Sequence, residues 1–158
     1  MRVKQVMTRD PVCCVPSDTA QKAATVMCDQ DTGVIPVIEN EQSQRIVGLV
    51  TDRDLCMNVV AEGRDPRTAR VEECMTTAVV VCAPNDSMAK ATELMKQNQI
   101  RRVPVVDEER KLIGIVSLAD VVERGNVKAT ETHETLKTIS APTGEPSKPR
   151  AKSKRAAA

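Results

Sequence analysis

"GLVTDRDL" (residues 48–55) and "GIVSLADV" (residues 114–121) decide how this chain folds. Each opens on a glycine and two aliphatic residues, turns polar at a hydroxyl side chain, and carries an aspartate three residues after that hydroxyl. The aliphatic run reads as the end of a strand. Ser or Thr followed at that distance by an acid reads as a capping box, in which each side chain satisfies a backbone N–H at a helix start. Both octets are strand-to-helix junctions, centred on Thr51 with Asp54 and on Ser117 with Asp120.

The octets belong to a longer repeat. At a shift of 68 residues Met7-Thr8 falls on Met75-Thr76, Pro16 on Pro84, Asp18 on Asp86, Ala23 on Ala91 and Met27 on Met95. "VIPVIE" (residues 34–39) falls on "RVPVVD" (residues 102–107), matching Pro36 to Pro104, and a turn two residues shorter in the second copy then aligns the octets.

Each copy has the same punctuation. A β-like run (residues 12–15 and 79–82) ends near a proline, and Ser17-Asp18 or Asn85-Asp86 offer oxygens for a helix N-cap. Ala20, Ala23, Ala24, Met27 and Cys28, or Met88, Ala91, Leu94 and Met95, follow at helical spacing and predict core packing. Two apolar runs around a polar turn predict a hairpin (34–38 with 46–50; 103–106 with 112–116), and a second helix opens at Thr51 or Ser117. The fold class is α/β in the α+β sense, with tandem β-α-β-β-α units. A unit of about 60 residues buries too small a share of its surface to stand comfortably alone, so two copies are expected to pack as one domain. The expected boundaries are residues 1–62 for the first repeat, 63–70 for a linker, 71–124 for the second repeat and 125–158 for a flexible basic tail.

Composition narrows function. The chain has 158 residues and no Phe, Tyr or Trp, so stacking platforms for single-stranded nucleic acid are missing and a bound base must lie against aliphatic side chains. The one histidine, His133, lies in the expected tail, which removes the commonest general base and metal ligand from the repeats. No Ser/His/Asp set can be assembled, and the chain is not expected to be an enzyme. Asp52 with Asp54 are acids at a helix start, which complement its dipole. The six cysteines have neither CxxC nor Cys/His spacing and read as reduced core thiols, the neighbours Cys13 and Cys14 included. No apolar run suits a signal peptide or a membrane span, so a cytoplasmic address is expected. Residues 128–158 carry seven Lys or Arg against three Glu; with a chain total of +1, residues 1–127 hold −3.

A helix N-terminus favours anions, Arg supplies paired donors for phosphate oxygens, and an ionised Asp accepts hydrogen bonds from ribose hydroxyls. The second octet has Arg101 and Arg102 before Val103-Pro104; the first has Gly33 and Val34 before Ile35-Pro36. Each junction has the parts of a nucleotide cradle as well as those of a plain helix cap.

The "MT" start, the aliphatic-Pro-Val strand and the glycine-to-aspartate octet together resemble cystathionine-β-synthase (CBS) domains, over residues 1–124 in two copies, and most resemble short bacterial proteins built of little besides a CBS pair. The resemblance implies a pseudo-twofold module that homodimerises, needs no cofactor, and binds AMP, ADP or ATP, or S-adenosylmethionine or NAD, between the repeats as a regulatory ligand. On it, Asp54 and Asp120 hold ribose, Thr51 and Ser117 approach phosphate, Ile35-Pro36 and Val103-Pro104 wall the adenine, and backbone from Thr8 to Val12 and from Thr76 to Val80 reads its edge. Arg101 and Arg102 match a basic pair facing phosphates, whereas the first copy departs from that pattern and has Arg53 as its nearby charge. At most one strong site per chain is expected. The partners implied are a second copy, the adenosyl ligand and a regulated protein, with no membrane; nucleic acid is not expected. The other reading is a ligand-free dimerisation module with a basic contact tail.

Overall fold

In the computed structural model residues 1–124 and 129–141 are described. The first repeat comprises a 3₁₀ turn (Val3–Gln5), β1 (Thr8–Arg9), α1 (Ala20–Asp29), β2 (Val34–Ile38), β3 (Ile46–Thr51) and α2 (Asp52–Leu55), which runs on in π geometry over Cys56–Val60. The second comprises a 3₁₀ turn (Val71–Glu73), α3 (Met88–Asn98), β4 (Arg102–Val106), β5 (Leu112–Ser117) and α4 (Leu118–Arg124); α5 (Ala129–Ile139) follows.

The expected hairpins are present as antiparallel pairs, β2 with β3 and β4 with β5, each with a register irregularity before its last residue. The β-like runs ahead of them are reduced to one bridged residue apiece, Cys14 on Val37 and Cys82 on Val105. Cys14 N–H donates to the Pro36 carbonyl and Cys82 N–H to that of Pro104, both at 3.0 Å, and the Cys14 and Cys82 carbonyls accept from Ile38 N–H (2.9 Å) and Val106 N–H (3.0 Å); Pro36 and Pro104 have no N–H to extend the ladder back toward Val12 and Val80. The helix caps lie later than expected: Thr19 accepts from Lys22 N–H and Ser87 from Lys90 N–H. Asp18 and Asp86 instead turn back, accepting from Val15 N–H (3.0 Å) and Ala83 N–H (2.9 Å) and pairing with Lys22 and Lys90.

The repeats exchange their leading segments. β1 pairs not with its own repeat but with β5, Thr8 opposite Ile115 and Arg9 opposite Gly114; reciprocally, Thr76 bridges Leu49 on β3. Val3, Val6 and Met7 complete the core of Cys82, Met88, Ala91, Met95, Val103, Val105 and Val116, while Val71 and Cys74 complete that of Cys14, Ala20, Ala23, Met27, Ile35, Val37 and Val50. A third cluster, Ile38, Ile46, Val106 and Leu112, lies where the hairpins meet, and backbone bonds Ile46 N–H to Arg110 O (3.2 Å) and Leu112 N–H to Gln44 O (3.0 Å) sew them together. The exchange explains the octet glycines. A Cβ on Gly114 would lie 2.9 Å from the Thr8 carbonyl oxygen and one on Gly48 3.1 Å from that of Thr76, each also against a methionine sulfur at 2.7 Å.

The segment between the repeats packs on the first of them: Ala69 is buried, its carbonyl accepts from Ala20 N–H (2.8 Å), and Pro66 O accepts from Gln21 N–H (3.0 Å). The flexible tail expected over 125–158 is corrected at Ala129–Ile139, where α5 packs on α3, burying Thr135 and adding Ile139 to the second repeat's core. The apolar stripe of this helix is thin, which leaves little signal for it in the sequence. The basic run at residues 148–155 lies outside the described residues.

Candidate functional site

Both junctions carry a complete capping box. Thr51 N–H donates to Asp54 Oδ2 (2.9 Å), and the Thr51 hydroxyl donates to the same oxygen (2.8 Å) while accepting from Asp54 N–H (3.0 Å). The Ser117–Asp120 distances are 2.8, 2.6 and 3.1 Å. Both bonds that reach each carboxylate end on Oδ2, leaving Oδ1 of each aspartate without a protein hydrogen bond among the described residues.

Strand alternation assigns the neighbouring side chains. On β4 and β5, Val103, Val105 and Val116 face the core, so Arg102, Pro104, Ile115 and Ser117 share the other face, with Thr8 beside Ile115. On β2 and β3 the equivalent face holds Val34, Pro36, Leu49 and Thr51, with Thr76 beside Leu49. Each face therefore combines one repeat's hairpin with the other's leading segment. The wall expected of Ile35 and Val103 is corrected: their side chains are 1% and 0% exposed inside the two cores, and Pro36 and Pro104, on the opposite strand face, are buried as well, which leaves half-buried Leu49 and Ile115 as the accessible aliphatic side chains there. Leu49 and Ile115 were missed, although counting back two residues from Thr51 and Ser117 finds them. Thr8 and Thr76 are exposed, Val12 is exposed and Val80 half-buried, each on the segment running on from the exchanged contact.

The faces differ in charge. Arg102, half-buried opposite Ser117, donates through Nη1 to the Thr32 hydroxyl of the first repeat. Arg101 goes elsewhere, with Nη2 at 3.5 Å from Ser140 Oγ beyond α5, so the two arginines do not act as a pair here. At the first junction Gly33 replaces Arg101, and the Asp52 carboxylate packs over it, close enough that a Cβ on Gly33 would lie 2.8 Å from Asp52 Oδ2. Arg53 is exposed, and its backbone N–H donates to Asp52 Oδ1 (2.7 Å). The second face presents a guanidinium where the first presents a valine and a nearby carboxylate.

Burial pushes the thiols of Cys13 and Cys14 up to about 11, with Cys13 also raised by Cys14 and Cys14 by Asp18, which keeps both protonated at neutral pH. All six cysteines are free. Among the described residues no group of three or more His, Cys, Asp or Glu gathers as a metal site, and no helix is long and apolar enough to cross a membrane. A groove of about 720 Å³ lies between residues 81–86 and the turn at 106–111, and none of the expected site residues lines it.

Exchanged segments, duplicated hairpins and paired capping boxes coincide with a family model: the CBS domain matches twice, over residues 3–61 and 71–126. The chain belongs to the CBS-domain family. It is 42% identical over 119 residues to the CBS domain-containing protein YhcV of Bacillus subtilis, covering 75% of this chain and 81% of that protein. The structure of Hypoxic Response Protein I with two coordinated zinc ions is similar at 31% identity and a TM-score of 0.72, covering 78% of this chain and 98% of that one. The CBS pair of protein MJ0100, solved with 5'-methylthioadenosine and S-adenosylmethionine, shares the fold at 24% identity and a TM-score of 0.68, covering 77% of this chain and 93% of that one.

Proposed function

We propose that this CBS pair is a non-catalytic regulatory module that binds an adenine nucleotide of the AMP, ADP or ATP type, chiefly at the face of Arg102, Pro104, Ile115, Ser117 and Thr8. The observation that carries the reading is the second face's guanidinium opposite a capped helix start. The Arg102 guanidinium with Ser117 opposite suits a phosphate, the Oδ1 of Asp120 is open to ribose hydroxyls, and half-buried Ile115, with Pro104 packed beside it, offers an aliphatic surface for the base. The edge of that base meets backbone between Thr8 and Val12. The weaker cleft has the same parts at Thr51, Asp54, Pro36 and residues 76–80, with Arg53 as its cation and Asp52 opposing an anion. Binding of adenosyl compounds by the MJ0100 pair supports the ligand class. S-adenosylmethionine and NAD share the adenosine that both faces suit.

The ligand acts by favouring one packing of the repeats within a homodimer over another, which requires different affinities for the two states. Exposed Met57 (46%) and Val60 (71%) beyond α2, and Val122 (50%) on α4, supply an apolar face for a second copy. A cytoplasmic setting and a regulated partner protein complete the reading.

Calorimetry with AMP and ATP on wild type and Asp120→Ala tests it. The variant is expected to bind about tenfold or more weakly, the loss of a hydrogen bond to a charged group. Loss of the cap costs about 0.5–2 kcal/mol of stability, so urea unfolding is measured beside it. Equal affinity in the two proteins, or no binding by wild type, overturns the assignment. In the second case the ligand-free dimerisation module stands, favoured by capping boxes in which the hydroxyl and carboxylate satisfy each other.

A further inference from the structure

Arg102 begins β4 of the second repeat, yet its side chain ends on Thr32, in the loop between α1 and β2 of the first. Thr32 is a well-fixed anchor. Its hydroxyl donates to the Val34 carbonyl (3.3 Å) and accepts from Val34 N–H (3.4 Å) and from Arg102 Nη1. A threonine hydroxyl has one proton and two lone pairs, so its capacity is filled. At the matching position the second repeat has Ile100, which has no hydroxyl, so this contact has no mirror image. Arginine carries five N–H donors in a rigid fork; the bond to Thr32 uses one and leaves the other edge for an incoming anion. A free arginine must give up rotamer entropy to grip a phosphate, and one already held gives up less.

We infer that Thr32 is a positioning residue for Arg102, by which the first repeat sets how strongly the second repeat's cleft grips the phosphate of an adenosyl ligand. The inference rests on the nucleotide reading above. It separates phosphate from adenosine: Thr32 acts only through a guanidinium, so its loss weakens AMP and spares a ligand without phosphate.

The test is calorimetry of the full chain with AMP and with adenosine, on wild type, Thr32→Val and Thr32→Ser. Thr32→Val keeps the branched shape and loses the hydroxyl; AMP affinity is expected to fall about threefold to tenfold while adenosine changes less than about twofold, and Thr32→Ser restores the AMP value. A general structural defect lowers both ligands together and overturns the inference. Tighter AMP binding in Thr32→Val also overturns it, since the bond then competes with phosphate. Exchange of the Arg102 Nη–H protons with solvent, read by nuclear magnetic resonance at low temperature on ligand-free protein, provides a ligand-independent check: Thr32→Val is expected to raise it severalfold, and an unchanged rate removes the positioning role. A wild type that binds neither ligand removes the nucleotide reading, and with it the effect on affinity. A wild type that binds AMP, beside a Thr32→Val variant that binds it equally well, removes Thr32 alone.

Discussion

The two repeats pair their strands in the same register, Val34 opposite Thr51 and Arg102 opposite Ser117, and close their helix starts with the same three hydrogen bonds. What separates them is the chemistry on that shared frame. One junction has Gly33, Val34 and Asp52; the other has Arg101, Arg102 and Leu118, a leucine that is buried in the core. The capping box is thus the part of the motif that folding requires of both copies, and its presence does not distinguish a binding cleft from a structural one. The cation does.

The sharpest way to break the equivalence of the frames is to add a methyl group at the octet glycines. A Cβ at Gly114 comes within 2.9 Å of the Thr8 carbonyl oxygen, a backbone atom that moves only with β1, whereas at Gly48 the Thr76 oxygen is 3.1 Å away and a smaller shift suffices. Overpacking of this kind costs about 1–3 kcal/mol. Gly114→Ala is expected toward the upper end and Gly48→Ala toward the lower, measured by urea unfolding, both with a single transition because each core is completed by the other repeat's leading turn. Two separate transitions would mean that the repeats fold independently.

Those glycines also mark what could be read from the sequence. The duplication, the hairpins, the helices and the hydroxyl-to-aspartate pairs were legible because each is a local pattern: a period, a proline, a cap. The exchange was not. "MT" and glycine recur in each copy, and nothing local says that Met7-Thr8 meets Gly114 and not Gly48. Ile35 and Val103 were assigned to the adenine wall because they adjoin the prolines, yet alternation along β2 and β4 turns them into the cores. Arg101 and Arg102 look like a pair as neighbours in sequence, and reach Ser140 and Thr32 as side chains. Thr32 left no signal at all, because its role depends on a residue 70 positions away in another repeat.

Charge is the second place to press. Arg102→Ala is expected to weaken AMP about tenfold, as loss of hydrogen bonds to a charged group does, while Arg53→Ala changes affinity less than about twofold because that side chain is exposed and screened. Calorimetry on the two variants reads the difference directly. A larger loss for Arg53→Ala would reverse the ranking of the clefts and make the Thr51–Asp54 junction the phosphate site.

The smallest effect concerns the thiols, where the repeats are alike inside and different outside. Cys14 and Cys82 occupy matching positions beside Pro36 and Pro104, and burial, helped by Asp18 and Asp86 respectively, pushes them up to about 11 and about 12 from an ordinary value of 9.0. Between pH 9 and 11 the unfolded chain has released protons that the folded chain still holds, so stability falls as pH rises through that window. Urea midpoints at pH 8 and pH 10 are expected to fall in that order; equal midpoints would mean that these thiols ionise as readily folded as unfolded. Outside, only the first repeat's Cys28 and Cys56 are exposed. A maleimide under native conditions at pH 7 is therefore expected to label those two thiols and spare Cys13, Cys14, Cys74 and Cys82, as counted by mass spectrometry. Cys56 adjoins exposed Met57, whereas Cys28 lies on α1. If a second copy covers the apolar face beyond α2, labelling of Cys56 slows as protein concentration rises while that of Cys28 does not, and equal rates at every concentration would leave that face uncovered.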